Sequence, residues 1–165
     1  MEIRKGTEQD LGKIMDIVKQ TVDIMESEDN DQWNRTYPQD QDFLTDIKAG
    51  TLYTAVLNGS VTGSITVDQV QAEEYRGAGW RKDAPCYVFH RLAVDPEIRG
   101  EGIASKLIKF AESYAVDQGV TYMRTDTYSL NKKAQSLFEK NGYIKVGTIY
   151  MDRDYPFYCY DKFLV

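Results

Sequence analysis

Three observations place this sequence in the α/β class. Apolar residues recur along it with the period of strands in some stretches and of helices in others. Glycine, proline and Asn58-Gly59 punctuate the change from one period to the next. The resulting order, βααβββαβαββ, gives a mixed central sheet of about seven strands with about four helices on both faces, an α/β layer architecture.

Each element has its own signal. Glu2 to Gly6 is a short strand. Thr7 followed by Asp10 has the spacing of a capping box. The helix behind it carries Leu11, Ile14, Met15, Val18, Val22 and Met25 on one face, a core stripe. Glu26 to Asp31 is acidic and breaks that period: a solvated loop, or a rim that draws in a cation. Gln39 to Ala49 predicts a second helix stopped by Gly50. Thr51 to Leu57 and Ser60 to Val70 are strands joined by the hairpin turn Asn58-Gly59. Gln71 to Pro85 is the longest irregular stretch; in a compact domain a loop of this length is functional or mobile, and it is expected to form a flap. Tyr87 to Val94 is a strand ended by Asp95-Pro96. Apolar residues from Ile103 to Ala115 mark the third helix. Val120 to Thr127 is a strand, Asn131 caps the fourth helix, and strands from Tyr143 to Met151 and Phe157 to Leu164 close the chain.

The bulk numbers exclude several classes. At 165 residues, the span 1–165 fits a single domain with a full core. A hydrophobic fraction of 42% with 28% charged residues is that of a soluble globular protein. No apolar run reaches the length of a membrane span, and the N-terminus has no signal-peptide core, so no membrane association is expected. A net charge of −6 argues against nucleic acid as a partner and mildly favours a cationic one. Cys86 and Cys159 have neither metal nor redox spacing; free thiols, a cytoplasmic location and no metal follow as expectations.

The chain is organised around residues 86 to 115. A strand ends at Leu92-Ala93-Val94, a loop carries Arg99-Gly100-Glu101-Gly102, and a helix starts at Ile103-Ala104. A helix N-terminus offers unpaired N–H groups and partial positive charge. Glycines at 100 and 102 keep Cβ atoms away from them, and Arg99 adds a full charge, so a pyrophosphate suits the site. Taken alone, the two glycines also suit a plain strand-to-helix turn.

The surrounding residues narrow this. Arg99-x-x-Gly102-x-Ala104 after Leu92-Ala93-Val94 resembles the acetyl-CoA loop of the GNAT superfamily of N-acetyltransferases. The block from Asn131-Lys132-Lys133-Ala134 to Asn141-Gly142-Tyr143 looks like the family's next motif, in its order and spacing. The resemblance runs from Ile3 to Leu164. It implies a single-domain GNAT fold whose strands near 87–94 and 121–127 splay into a V that takes the pantetheine arm. It implies acetyl-CoA as cosubstrate, held by Leu92, Ala93, Val94, Arg99, Gly100, Glu101, Gly102, Ile103, Ala104, Asn131 and Lys133. It places the acceptor, a small-molecule amine or a peptide amine, beside the segment between the first two helices, where Trp33 and Tyr37 are the candidates. Homodimers are frequent among proteins of this kind.

Acetyl transfer to an ammonium needs a base or water relay, a donor to the thioester oxygen and a proton source for the thiolate. The family's strand glutamate would stand at Val88, so that route is absent. His90, the only histidine, resembles the catalytic histidine of arylalkylamine N-acetyltransferases, and an imidazole titrates near neutral pH. A buried structural histidine is the rival reading. The family's usual tyrosine acid corresponds to Phe138, which has no proton to give. Tyr128 or water could stand in. Cys86 as an acyl carrier is the alternative to direct transfer, against a small core hydrophobe. Beside the acetyltransferase stand two rivals: a weak acyl-CoA-binding or regulatory module, and a site for another nucleotide pyrophosphate.

Overall fold

The computed structural model describes residues 1–98 and 100–164. Its elements run in the expected βααβββαβαββ order, with single 3-10 turns added at Glu8–Asp10 and Glu73–Tyr75. The chain forms two compact units, each discontinuous in sequence. The first is Met1–Val67 with His90–Phe110, the second Asp68–Phe89 with Ala111–Val165.

In the first unit, β1 (Glu2–Lys5), β2 (Leu52–Leu57) and β3 (Ser60–Asp68) pair antiparallel, with Ile3 opposite Ala55 and Ala55 opposite Gly63. The β2–β3 turn is tight because Asn58 and Gly59 both take left-handed backbones, φ 52° and 77°, as a two-residue hairpin demands. Successive side chains of a strand face opposite ways. Leu52 therefore joins Ile14, Ile17, Val18 and Val22 of α1 (Leu11–Ser27) and Phe43 of α2 (Asp40–Ala49) in one apolar cluster. The neighbouring Tyr53 instead lays its ring 4.7 Å from Phe110 of α3 (Ile103–Asp117). Helices thus cover both faces. Ile17 belongs to the core although the expected stripe passed it over. Each fully buried Ile or Phe of this cluster is worth about 1.5–3 kcal/mol. Gly50 ends α2 in the left-handed conformation, φ 72°.

In the second unit the first residues of β4 (Tyr87–Val94) pair in parallel with β5 (Tyr122–Tyr128), Tyr87 with Met123 and Val88 with Arg124. β5 pairs antiparallel with β7 (Phe157–Phe163), and β7 with β6 (Ile144–Ile149). The complete strand order is β1-β2-β3-β4-β5-β7-β6. On one face Phe138 of α4 (Lys132–Lys140) meets Phe89 and Tyr160 edge to face, at 5.4 and 5.5 Å. No described helix is long and apolar enough to cross a membrane.

The expected flap, residues 71–85, is built into the second unit. Tyr75 and Ala78 are buried in a cluster with Val88, Tyr122 and Cys159. Trp80 Nε1 donates to the Tyr75 carbonyl at 2.7 Å. Asp161, fully buried, accepts from Tyr122 Oη (2.7 Å), Arg81 N (3.0 Å) and Arg81 Nε (2.7 Å). The flap backbone also lies directly against β6: a Cβ added at Gly147 would collide with the Ala78 carbonyl oxygen.

Two outcomes follow from this packing. Gly147→Ala forces two backbones apart and should destabilise the protein by about 1–3 kcal/mol, read as a lower urea midpoint; a parental midpoint would contradict the contact. The second outcome concerns acid. The Arg4 guanidinium, bonded to Asp10 at 2.8 and 3.0 Å, together with the Thr7 N–H, holds the Asp10 carboxyl below its ordinary range despite burial. The folded value lies under the unfolded one, so the stabilisation is present above about pH 4 and is lost as pH falls through the folded value. Asp10→Asn should therefore lose less stability than the parent on acidification, measured by urea midpoints from neutral pH downward.

Candidate functional site

The site begins where β4 ends. Asp95 braces the turn: its N–H donates to the Thr62 carbonyl at 2.8 Å, and its carboxylate accepts from Glu97 N at 2.9 Å and lies 3.4 Å from Lys13 Nζ. Arg99 lies outside the described residues. Gly100 and Gly102 have φ of 77° and 62°, a left-handed region that costs other residues roughly 1–2 kcal/mol. A Cβ on either would meet no described atom within 4 Å, so the glycines are there for backbone shape and for open approach, not for packing within the protein. The Gly102 carbonyl accepts from Lys106 N at 3.0 Å and starts the helix. Ile103 anchors α3 in the interior, and Leu107 and Ile108 behind it are fully buried. The helix start, its N–H groups without acceptors inside the helix, therefore lies beside a loop cleared of side-chain bulk, an arrangement that receives an anion. Gly100, Glu101 and Gly102 are exposed; Leu92, Val94 and Ala104 are half-buried, and Ala93 is buried.

His90 is half-buried, two residues beyond the fully buried Val88. The next residue, Arg91, has φ 46°, a left-handed backbone inside a strand. Its side chain makes a two-pronged ion pair: Nε to Asp46 Oδ2 at 2.8 Å and Nη2 to Oδ1 at 2.9 Å. Asp46 also accepts from Thr66 Oγ1 at 2.7 Å, and Arg91 Nη1 donates to Tyr37 Oη at 3.2 Å. Burial opposes the Arg91 charge, but these bonds outweigh it and hold the guanidinium protonated above its ordinary range. Sequence reasoning missed this group. The available signal was a cation inside the apolar run Tyr87 to Val94, which needs a carboxylate partner if the strand is interior.

Trp33 and Tyr37, the two acceptor candidates, stand in different surroundings. Trp33 is buried and walls a cavity of about 510 Å³ that also meets Val22, Glu26, Asp29, Asp31 and Arg35. Three carboxylates against one guanidinium, itself 3.6 Å from Glu26, give this cavity a negative balance. Tyr37 is exposed and spends its hydroxyl on Arg91. In the second unit, Asn131 caps α4 by accepting from Ala134 N at 3.1 Å, and Lys133 is exposed in the first turn.

Comparison with known proteins decides the family. The acetyltransferase (GNAT) family matches residues 18–143, from α1 through α4. The chain belongs to the GNAT family. A Staphylococcus aureus Mu50 acetyltransferase structure covers 100% of both chains at 32% identity, with a TM-score of 0.79. A Salmonella typhimurium acetyltransferase, solved with its cofactor acetyl-CoA, shares the fold at 18% identity and TM-score 0.70, over 99% of this chain and 94% of that one. Thialysine N-epsilon-acetyltransferase of Bos taurus is 41% identical over 51 residues, 31% of this chain and 30% of that protein. The chain spans between 26% and 38% of the length of the curated relatives it matches.

Val88 and Phe138, where the resemblance led to the expectation of a glutamate and a tyrosine, and Tyr128, the possible stand-in acid, are all buried. Val88 is fully buried among apolar side chains, where a strand glutamate would have had no solvent. Phe138 is locked into the aromatic cluster of α4. Tyr128 is fully buried, its ring 4.9 Å from Phe157 and 4.9 Å from the Arg153 guanidinium carbon. Both cysteines are buried and free. Burial pushes the Cys86 thiol above its ordinary range and that of Cys159 up to about 12, which keeps them as unreactive thiols at neutral pH.

Proposed function

We propose that this GNAT protein is an acetyl-CoA-dependent N-acetyltransferase that moves the acetyl group directly to a primary amine. The observation that carries the reading is the left-handed glycine pair opening α3, with no described atom within 4 Å of either Cβ position. The α3 N-terminus receives the pyrophosphate, and Arg99 adds a positive charge in that loop. Leu92, Ala93 and Val94 would offer strand backbone to the pantetheine arm; Asn131 and Lys133 at the start of α4 are cofactor candidates by the family resemblance alone. Acetyl-CoA, once bound, supplies the acetyl group as an activated thioester.

The acceptor is a small amine or a peptide amine. The carboxylates of Glu26, Asp29 and Asp31 around the Trp33 cavity favour a protonated amine in approach. His90 takes the proton that frees the nitrogen lone pair, directly or through one water. Water protonates the leaving thiolate, since Phe138 has no proton and Tyr128 is sealed in the interior. The buried, neutral thiol of Cys86 supports transfer without an acyl-enzyme stage. Two buried free thiols suit a reducing cytoplasm.

Two measurements test this. Gly102→Glu puts a carboxylate against the pyrophosphate and should abolish acetyl-CoA binding by calorimetry. Gly102→Ala, which carries the same backbone cost without the charge, should bind far better than the glutamate variant. Equal affinity of Gly102→Glu and parent would remove the loop from cofactor binding. For the base, His90→Gln should lower turnover by roughly 10²–10⁴-fold with acetyl-CoA affinity nearly unchanged, and should change the shape of the pH–rate profile. A folded His90→Gln enzyme with parental turnover and profile would take His90 out of the mechanism.

A further inference from the structure

The feature that the proposed chemistry leaves unused is the ion pair buried behind β4. We propose that Asp46 is a positioning residue for acetyl transfer: through its two bonds to Arg91 it fixes the left-handed break in β4 immediately after His90, and so sets where His90 and the backbone of Leu92 stand. This rests on the acetyltransferase reading above, with His90 as base.

The argument starts from the backbone. An L-residue rarely sits at φ 46° inside a strand, and such a conformation persists only where its surroundings over-determine it. Here they do. Nε and Nη2 of Arg91 both end on Asp46, at 2.8 and 2.9 Å, a planar fork that admits one orientation of the guanidinium. The carboxylate is itself held, by Thr66 Oγ1 of β3 at 2.7 Å, and its residue is buried. Tyr37 Oη accepts a third guanidinium bond at 3.2 Å. Four side chains from α2, β3, β4 and the segment before α2 thus converge on one backbone torsion. An ordinary strand would send residues 90 and 91 to opposite faces. The left-handed residue breaks that alternation just where His90 must meet its substrate. Nε, Nη1 and Nη2 of Arg91 each donate to Asp46 or Tyr37, and the role assigned to the guanidinium is to hold this torsion.

The decisive property is that glycine adopts φ 46° without any ion pair. An amine is first chosen from a panel of mono- and diamines, basic amino acids and a lysine peptide on which the parent protein is active. Asp46→Asn should lower kcat about tenfold or more, with KM and the acetyl-CoA dissociation constant changed less than about threefold. Asp46→Asn combined with Arg91→Gly leaves no unpaired charge and lets the backbone keep its shape. It should recover kcat to within about threefold of the parent. The pH–rate profile of the double variant should keep the parental ionisation. A double variant as slow as Asp46→Asn would show that the arginine side chain, not the torsion, matters, and would overturn the proposal. So would an Asp46→Asn variant with parental kcat and only a lowered melting temperature. A parent that acetylates no amine in the panel refutes the acetyltransferase reading and this proposal together; an active parent with either adverse variant result refutes the proposal alone.

Discussion

A guanidinium inside an apolar strand must find a carboxylate, and that requirement shapes the first unit. Arg91 draws Asp46 inward, Asp46 draws the hydroxyl of Thr66, and α2 is thereby fixed over β3. Removing one partner of a buried pair leaves an uncompensated charge, typically a loss of about 3–5 kcal/mol. The apolar cluster of Ile14, Phe43 and Leu52 supplies most of the burial in this unit, but it is directionless. The ion pair sets orientation. The second unit solves the same problem with Asp161, buried under the flap and satisfied by Tyr122 and Arg81.

Where the sequence was legible, a local rule applied. Tyr87–Val94 is the strand expected from its apolar run and its Asp-Pro stop. Gly50, Asn58-Gly59 and the Thr7–Asp10 spacing behave as their turn and cap chemistry requires. Gly100 and Gly102, candidates because they carry no Cβ, take left-handed backbones with open space where a Cβ would stand. The remainder was set by contacts between distant residues. Nothing near Arg91 in sequence announces Asp46, and nothing near Trp33 and Tyr37 shows that one would wall a cavity and the other bond to β4. The flap carries the same lesson: its irregular composition reads as a functional or mobile loop, and only the structure shows Tyr75, Ala78 and Trp80 tying it into an apolar cluster. Ile17 escaped the helical stripe because a wide apolar contact buries more of α1 than a narrow one would.

Val88 and Phe138 share a physical character. Each is an apolar side chain packed on several sides, at a position where the family resemblance led to the expectation of a proton-carrying group. Neither can carry a proton, and His90 is the one imidazole of the sequence. Chemistry at such positions has to come from backbone and placement rather than from these two side chains.

The interleaving of the two units has a consequence for biosynthesis. The first unit closes only when His90–Phe110 has left the ribosome, because β4 and the start of α3 complete its sheet and its second face. By then residues 68–89 are already out, apolar at Tyr75, Ala78, Cys86 and Val88, while β5, β6 and β7 have not yet emerged. At a synthesis rate of about 5–20 residues per second, several seconds separate the emergence of the flap from that of β7. During that interval the nascent chain carries an apolar hairpin-length segment without its cover, a natural binding window for a chaperone.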